Sequence, residues 1–390
     1  MNYSIIVPVF NRPDEVDELL QSLCRQTVKD FEVIIVEDGS KIPCKDVCDK
    51  YAGILDLYYY VKPNSGPGQS RNYGAERARG EWLIVLDSDV VLPDDYLQHV
   101  HDSLECRVES VEFATAAEGC ADGTAVANSQ LSTLRSATLG DASLAKNSQL
   151  NLSAWGGPDA SHPSFTPVQK AISYSMTSFF TTGGIRGGAK KKALDKFYPR
   201  SYNMGIRREV YLELGGFSKM RFGEDIDFSY RIVEAGYKTA LLPSAWVWHK
   251  RRTDFRKFFR QVYNSGIARI NLEKRHPGTM KLVHLLPTVF TLGVIALVLL
   301  SAVGRLLMYY LGNDEWRWLC LLPWTPILLY SGVIFVDASL RNRSLLVGLH
   351  SIPAAYVQLM GYGLGFIESW WKRCVLGKDE FQAFEKNFYS

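Results

Sequence analysis

Trp82-Leu83-Ile84-Val85-Leu86-Asp87-Ser88-Asp89 is the stretch that decides the fold. Five apolar residues without a polar interruption are long enough for one strand buried on both faces, as in a parallel sheet covered by helices. Two carboxylates one residue apart follow at once, ahead of Val90-Val91-Leu92-Pro93. In an open α/β sheet, ligands gather at the carboxyl ends of the strands, which places Asp87 and Asp89 at the mouth of the crevice. Two hard oxygen anions there suit a Mg²⁺ or Mn²⁺ that also grips a diphosphate. A plainer reading competes: Asp often does no more than cap the helix that follows.

Upstream, strand and helix alternate, the pattern of a parallel sheet. Tyr3 to Val9 reads as the first strand, with Pro8-Val9-Phe10-Asn11-Arg12 at its end. A helix begins near Pro13, with Asp14 and Glu15 in its first turn and Val16, Leu19, Leu20 and Leu23 as its buried stripe. Glu32 to Val36 is a second strand, closed by Glu37-Asp38-Gly39-Ser40, and Leu57 to Val61 a third. The loop Lys62 to Gly68 leads into a helix at Gln69 that carries Arg71 and Asn72, and Gly80 stops it. Asp38 can accept hydrogen bonds from a base or ribose, and Arg71 can meet base or phosphate. Turn chemistry explains any one of these residues equally well. Three strand ends aiming polar groups at one edge read as the mononucleotide half of a doubly wound sheet.

Length and charge bound the rest. The chain of 390 residues is enough for one large domain and something more, and a net charge of +3 gives no electrostatic footprint for nucleic acid. Cys44 and Cys48 have no second pair and no nearby His, so reduced cytosolic thiols are a better reading than a zinc site. The start of the chain carries no basic and apolar leader, which predicts a cytoplasmic first domain. Beyond residue 270 the composition changes to a membrane domain, 271–371, with a cytoplasmic tail, 372–390. Leu282 to Val303 and Trp318 to Val336 are two candidate spans, and Leu345 to Ile367, with Pro353, Gln358 and the glycines at 361, 363 and 365, is a third that either crosses or re-enters. Arg341 and Arg343 precede that third segment and Lys372 and Arg373 follow it; the positive-inside rule puts both clusters in the cytoplasm only if the third does not fully cross.

Between the halves, 106–153 is rich in small polar residues, nearly free of aromatics and without a period, and is expected to be a mobile insertion. Trp155 to Asp159 reads as a strand end and turn. Thr181 to Gly188 is Gly-rich without phosphate-loop spacing, and Lys190, Lys191 and Lys192 extend it as a basic run. After Leu214-Gly215-Gly216-Phe217 comes Phe222-Gly223-Glu224-Asp225-Ile226-Asp227-Phe228, opening a helix with Phe228, Ile232 and Ala235 on one face. A carboxylate at such a helix start stays ionised, as a cap or, in a cleft, as a general base. A strand from Thr239 to Leu242 and Trp246-Val247-Trp248-His249 follow. Arg252, Arg256 and Arg260, interleaved with Phe255, Phe258 and Phe259, then suggest an interfacial helix before the first span.

On these residues the chain resembles the inverting, membrane-attached family 2 glycosyltransferases of the GT-A fold. The resemblance rests on Val7-Pro8-Val9-Phe10-Asn11, Val36-Glu37-Asp38-Gly39-Ser40, Arg71-Asn72 with Gly74, Leu86-Asp87-Ser88-Asp89, Gly215-Gly216-Phe217 and Gly223-Glu224-Asp225, in that order. It covers residues 1 to about 104 and 155 to about 270, within a GT-A domain of residues 1–270. It implies an α/β, doubly wound, mostly parallel sheet followed by C-terminal transmembrane helices. It also implies Asp38 and Arg71 at the nucleotide, Asp87 by the ribose, Asp89 on a divalent metal that bridges the diphosphate, and Asp225 as the base. His249 matches a histidine that reaches the metal in some relatives, or it is a satisfied structural His. The partners implied are a nucleotide-diphosphate sugar donor, a lipid-linked or saccharide acceptor and the lipid bilayer, at a bacterial inner membrane. No Gln-x-x-Arg-Trp motif of processive synthases is evident, which favours transfer of a single sugar. Two rivals remain: sugar transfer to a polyprenyl phosphate, and a membrane scaffold with a degenerate transferase domain.

Overall fold

The computed structural model describes residues 1–105, 152–162, 164–183, 197–220, 222–250, 252–311, 317–381 and 383. The expected insertion lies outside the described residues from 106 to 151, as do most of the Gly-rich loop and the basic run at 190–192. The chain forms two compact units: Met1–Ala160 with Ala189–His249, and Ser161–Gly188 with Lys250–Ser390.

The first unit is α/β. Strands β1 (Tyr3–Val9), β2 (Phe31–Asp38), β3 (Asp56–Lys62), β4 (Trp82–Leu86), β6 (Leu152–Gly156), β8 (Asn203–Arg207) and β9 (Lys238–Leu241) form one seven-stranded sheet in the order β3-β2-β1-β4-β8-β6-β9. Every pairing is parallel except those of β8, which runs against β4 and β6. The mostly parallel sheet expected of a GT-A domain is therefore present. β6 takes in Leu152 and Ser153, the last two residues assigned to the insertion, because both are buried in the ladder.

Both faces of this sheet are covered, as the unbroken apolar runs require. Successive side chains in a strand point to opposite faces. Ile5, Val7, Val33, Ile35, Ile84 and Leu86 accordingly share one core with Val16, Leu19, Leu20 and Leu23 of α1 (Pro13–Cys24). Ile6, Ile34, Val36, Leu83 and Val85 share the other with Phe217, Phe228 and Ile232. Each such side chain contributes about 1.5–3 kcal/mol by leaving water. Ala235, placed on that apolar stripe by spacing, is exposed, because the helix Glu224–Glu234 ends just before it.

A second, three-stranded sheet is built from short pieces: β5 (Val90–Val91), β10 (Val247–His249) and β7 (Asp159–Ala160), in the order β5-β10-β7. His249 pairs with Val90, and Val247 with Asp159. This register sets His249 beside the end of the Asp87-Ser88-Asp89 turn.

The second unit is helical. Leu345–Trp370 packs against Pro167–Thr177, Phe255–Arg275, Leu286–Leu311 and Thr325–Asn342. Among the described residues two helices are long and apolar enough to cross a membrane, by length and composition: Leu282–Leu311, of mean hydropathy 2.4, and Leu322–Asn342, of mean hydropathy 1.2. The latter begins later than the expected Trp318, after a separate short helix, Arg317–Leu321, and Pro323 stands in the 3-10 turn that opens it. Leu345–Trp370, which contains the third expected segment, is not among the two. Its glycines allow close packing: a Cβ at Gly365 would fall 2.1 Å from the Tyr263 carbonyl oxygen.

Candidate active site

The carboxyl ends of β1, β2 and β4 meet at one edge. Asn11, in the left-handed region at φ 53°, accepts hydrogen bonds at Oδ1 from the Lys41 and Ile42 amides at 2.7 and 3.0 Å. Asn tolerates this backbone geometry better than most residues. The bonds tie the end of β1 to the turn after β2.

Asp38 closes β2 and is buried. Its carboxylate accepts from the Ser65 and Gly66 amides at 2.9 and 2.8 Å and from the Lys62 ammonium. These contacts fix the loop that leads into α3 (Pro67–Arg77), the helix carrying Arg71. Asp38 thus braces the entrance to α3 with the oxygens expected to meet a nucleotide.

Arg71 is buried and joins two acid pairs. Its Nη2 donates to Asp87 Oδ1 at 2.8 Å, its Nη1 to Glu224 Oε1 at 3.1 Å, and its guanidinium lies 5.1 Å from the centre of the Phe217 ring. Burial alone would lower its pKa, and the two carboxylates more than offset that, so it stays charged. Asn72, next in the helix, holds the other wall: its Oδ1 accepts from the Phe217 amide at 2.8 Å and the Tyr211 hydroxyl at 2.7 Å. Gly216 lies at φ 63°, and a Cβ there would sit 2.3 Å from Asn72 Oδ1. The Gly-Gly-Phe stretch exists because only glycine fits that turn.

The metal expectation names Asp89 and, with less in its favour, His249. Donor atoms of Asp87, Asp89 and His249 all lie within 4.8 Å of one another. Asp89 Oδ1 is 3.2 Å from His249 Nε2, and Asp89 Oδ2 accepts from Arg12 Nη1 at 2.9 Å. Behind the imidazole, Asp159 Oδ2 is 4.0 Å from His249 Nδ1, and the Tyr202 ring stacks on it at 5.1 Å. At 4.0 Å Asp159 is beyond hydrogen-bond reach, and it stands on the side of the ring where a carboxylate usually supports a metal-bound imidazole. Two carboxylates and an imidazole, part-exposed on a crevice wall, fit a divalent ion such as Mn²⁺.

Asp225 stands at the start of the helix Glu224–Glu234. Its Oδ2 accepts from Arg200 Nε at 2.6 Å and its Oδ1 from the Ile226 amide at 2.9 Å. Burial works to raise its pKa, but the Arg200 guanidinium outweighs it and holds the carboxyl below its ordinary range. Its neighbour behaves oppositely: burial pushes Glu224 up to about 7, against the pull of Arg71.

Two family models match this chain. The glycosyl transferase family 2 model matches residues 4–126, and the glycosyl transferase family group 2 model matches residues 198–336. Over these two stretches the chain belongs to glycosyl transferase family 2. Within the family it is 44% identical over 86 residues to an uncharacterized glycosyltransferase of Haemophilus influenzae, covering 22% of this chain and 29% of that protein. It is 36% identical over 98 residues to the putative glycosyltransferase EpsH of Bacillus subtilis, covering 25% and 28%. With the Staphylococcus aureus poly(ribitol-phosphate) beta-N-acetylglucosaminyltransferase TarS it shares 38% over 93 residues, covering 23% and 16%. The matched stretch thus spans less than a third of each of these relatives. Among solved structures, it resembles the mannosyltransferase PcManGT from Pyrobaculum calidifontis in complex with GDP-Man and Mn²⁺ at a TM-score of 0.48 and 16% identity, covering 88% of this chain and 87% of that one. S. aureus TarS 1–349 follows at a TM-score of 0.41 and 14% identity, covering 97% and 92%.

Sequence reasoning on this family 2 chain missed four side chains at the site. Arg12 was visible only as the residue ending the first strand, and Asp159 only as part of a turn. Arg200 lies 25 residues from the acid it holds. Glu224 was seen as half of a helix cap, and its contact with Arg71 crosses 153 residues of sequence.

Proposed function

We propose that the chain is a metal-dependent inverting glycosyltransferase. In this reading it moves one sugar from a nucleotide-diphosphate donor to a hydroxyl of a lipid-linked or saccharide acceptor at the cytoplasmic face of a bacterial inner membrane. The observation that carries the reading is the convergence of Asp87, Asp89 and His249 beside buried Arg71 at the strand ends. Asp87, Asp89 and His249 would hold the divalent ion, which when bound neutralises charge on the diphosphate leaving group. Arg71 orients Asp87, and Asp38 keeps the loop before α3 closed behind the nucleotide. Asp225, ionised and oriented by Arg200 and the Ile226 amide, takes the acceptor's proton as the hydroxyl attacks the anomeric carbon from the face opposite the leaving group. The two apolar helices would tether the transferase domain to the bilayer and raise its effective concentration near a lipid-borne acceptor.

One observation favours a second reading. Both oxygens of Asp225 are already engaged, which suits an acceptor that arrives ionised and needs no base, such as a polyprenyl phosphate.

The full chain in detergent micelles, screened with Mn²⁺ against UDP-, GDP- and dTDP-sugars for protection from thermal unfolding, tests the donor half. One donor class at a hundredfold excess over its Kd should stabilise the fold by about 2.7 kcal/mol. No protection by any of them with Mn²⁺ present would overturn the reading.

A further inference from the structure

Arg12 is a cation lodged against the acid expected to hold a metal. It stands between β1 and α1, where it precedes Pro13 and makes no side-chain cap to the helix. Its Nη1 donates to Asp89 Oδ2 at 2.9 Å and lies 3.7 Å from Glu15 Oε1. Its side chain is about one-third exposed, at 32%, whereas Asp89 is mostly enclosed, at 13%. The other Asp89 oxygen faces His249, and the nearby Asp87 is held by Arg71.

A divalent ion among Asp87, Asp89 and His249 would sit about 2.0–2.6 Å from an Asp89 oxygen. An arginine kept on the same carboxylate would then face a double positive charge a few ångströms away, where repulsion is strong even at an effective dielectric of about 20. The guanidinium has a way out. Its planar fork bonds phosphate oxygens as readily as carboxylate oxygens, and a diphosphate at this edge presents several.

We propose that Arg12 is a resident counter-ion that opposes metal binding to the empty enzyme and transfers from Asp89 to the diphosphate as metal and donor arrive together. Metal and diphosphate then bind as a coupled pair, each tightening the other by the same factor. The inference rests on Asp87, Asp89 and His249 being the metal site, and its test separates the two claims.

The measurement is Mn²⁺ affinity of the full chain in micelles, from the electron paramagnetic resonance signal of free Mn²⁺, with and without inorganic pyrophosphate. Chelation of Mn²⁺ by pyrophosphate in solution is common to every variant and cancels. Arg12→Gln should bind Mn²⁺ alone about tenfold tighter than wild type, and its further gain on adding pyrophosphate should shrink by about the same factor. Arg12→Lys, which keeps the charge, should stay close to wild type, so that a tighter Gln variant cannot be laid to a loosened fold. Arg12→Gln with wild-type Mn²⁺ affinity, beside an Asp89→Asn protein that has lost it, would overturn the Arg12 proposal and leave the metal site standing. Asp89→Asn binding Mn²⁺ as wild type does would overturn both.

Discussion

Two acid pairs face the same crevice and are treated oppositely by their surroundings. Asp87 and Asp89 follow a strand, keep part of their surface in water, and are joined by a histidine brought in on a second sheet. Glu224 and Asp225 open a helix, are buried, and are each held by an arginine, with the Ile226 amide adding a second donor to Asp225. Carboxylates gathered with an imidazole make a site for a cation. Adjacent carboxylates with unequal arginine support make a site where one acid is ionised and the other is poised to hold a proton. Arg71 touches one member of each pair and makes the two sites one electrostatic unit.

The largest effect should come from the helical pair. Asp225→Asn keeps the side-chain shape and an oxygen for the Ile226 amide, and Gly223, not Asp225, is the helix N-cap, so the fold should survive, while turnover falls about 10²- to 10⁴-fold and donor affinity barely moves. A folded variant that binds donor and turns over near the wild-type rate would remove Asp225 as base and leave the acceptor ionised on arrival. Cutting the link comes next. Arg71→Met leaves buried Glu224 and part-exposed Asp87 without their cation, and chemical denaturation should register a loss of up to about 3–5 kcal/mol, the usual result of removing one partner of a buried ion pair. A loss below 1 kcal/mol would mean that the pairs are independent.

A smaller effect separates the two acids of the helical pair by pH. Glu224 is raised in the folded chain to about 7, from an ordinary 4.5. The native state therefore holds more protons than the unfolded one between these values. The stabilisation is complete below about pH 4.5 and is lost as pH rises through about 7. Glu224→Gln should flatten that stretch of the stability profile. Asp225, held low by Arg200, contributes with the opposite sign: its stabilisation is present above its ordinary value of 3.8 and disappears as pH falls through its lowered folded value. The rate profile divides the roles in the same way. A base at Asp225 gives a rate already level by neutral pH, and a limb centred near 7 would assign proton transfer to Glu224 instead.

The strand-end site was far more legible in sequence than the helical one. Unbroken apolar runs, ended by Asp38 and by Asp87-Ser88-Asp89, specify both the strand and the edge on which its last polar residue lies. The stripe Val16, Leu19, Leu20 and Leu23 did the same for α1, and all four are buried. What periodicity does not carry is pairing between distant segments. Nothing local to Arg200 marks it as the partner of Asp225, and nothing local to Asp159 marks it as standing behind His249. The third hydrophobic segment was only half legible for a related reason. The small size of Gly361, Gly363 and Gly365 serves close helix contacts that only the folded chain displays.

The three-stranded sheet has a consequence for how the site is kept. β10 is three residues long, and its partners β5 and β7 are two residues each, so few backbone bonds hold His249 in register. The seven-stranded sheet that carries Asp87 does not depend on them. Val247 is buried in the main core and anchors one end of β10, so easy opening is confined to the His249 end while the main sheet stays closed. The amides of Trp248 and His249 should then exchange with solvent faster than those of β4, and a ligand that draws His249 inward should slow them. The imidazole is fastened to the enzyme by a clasp, and whatever occupies the site is what closes it.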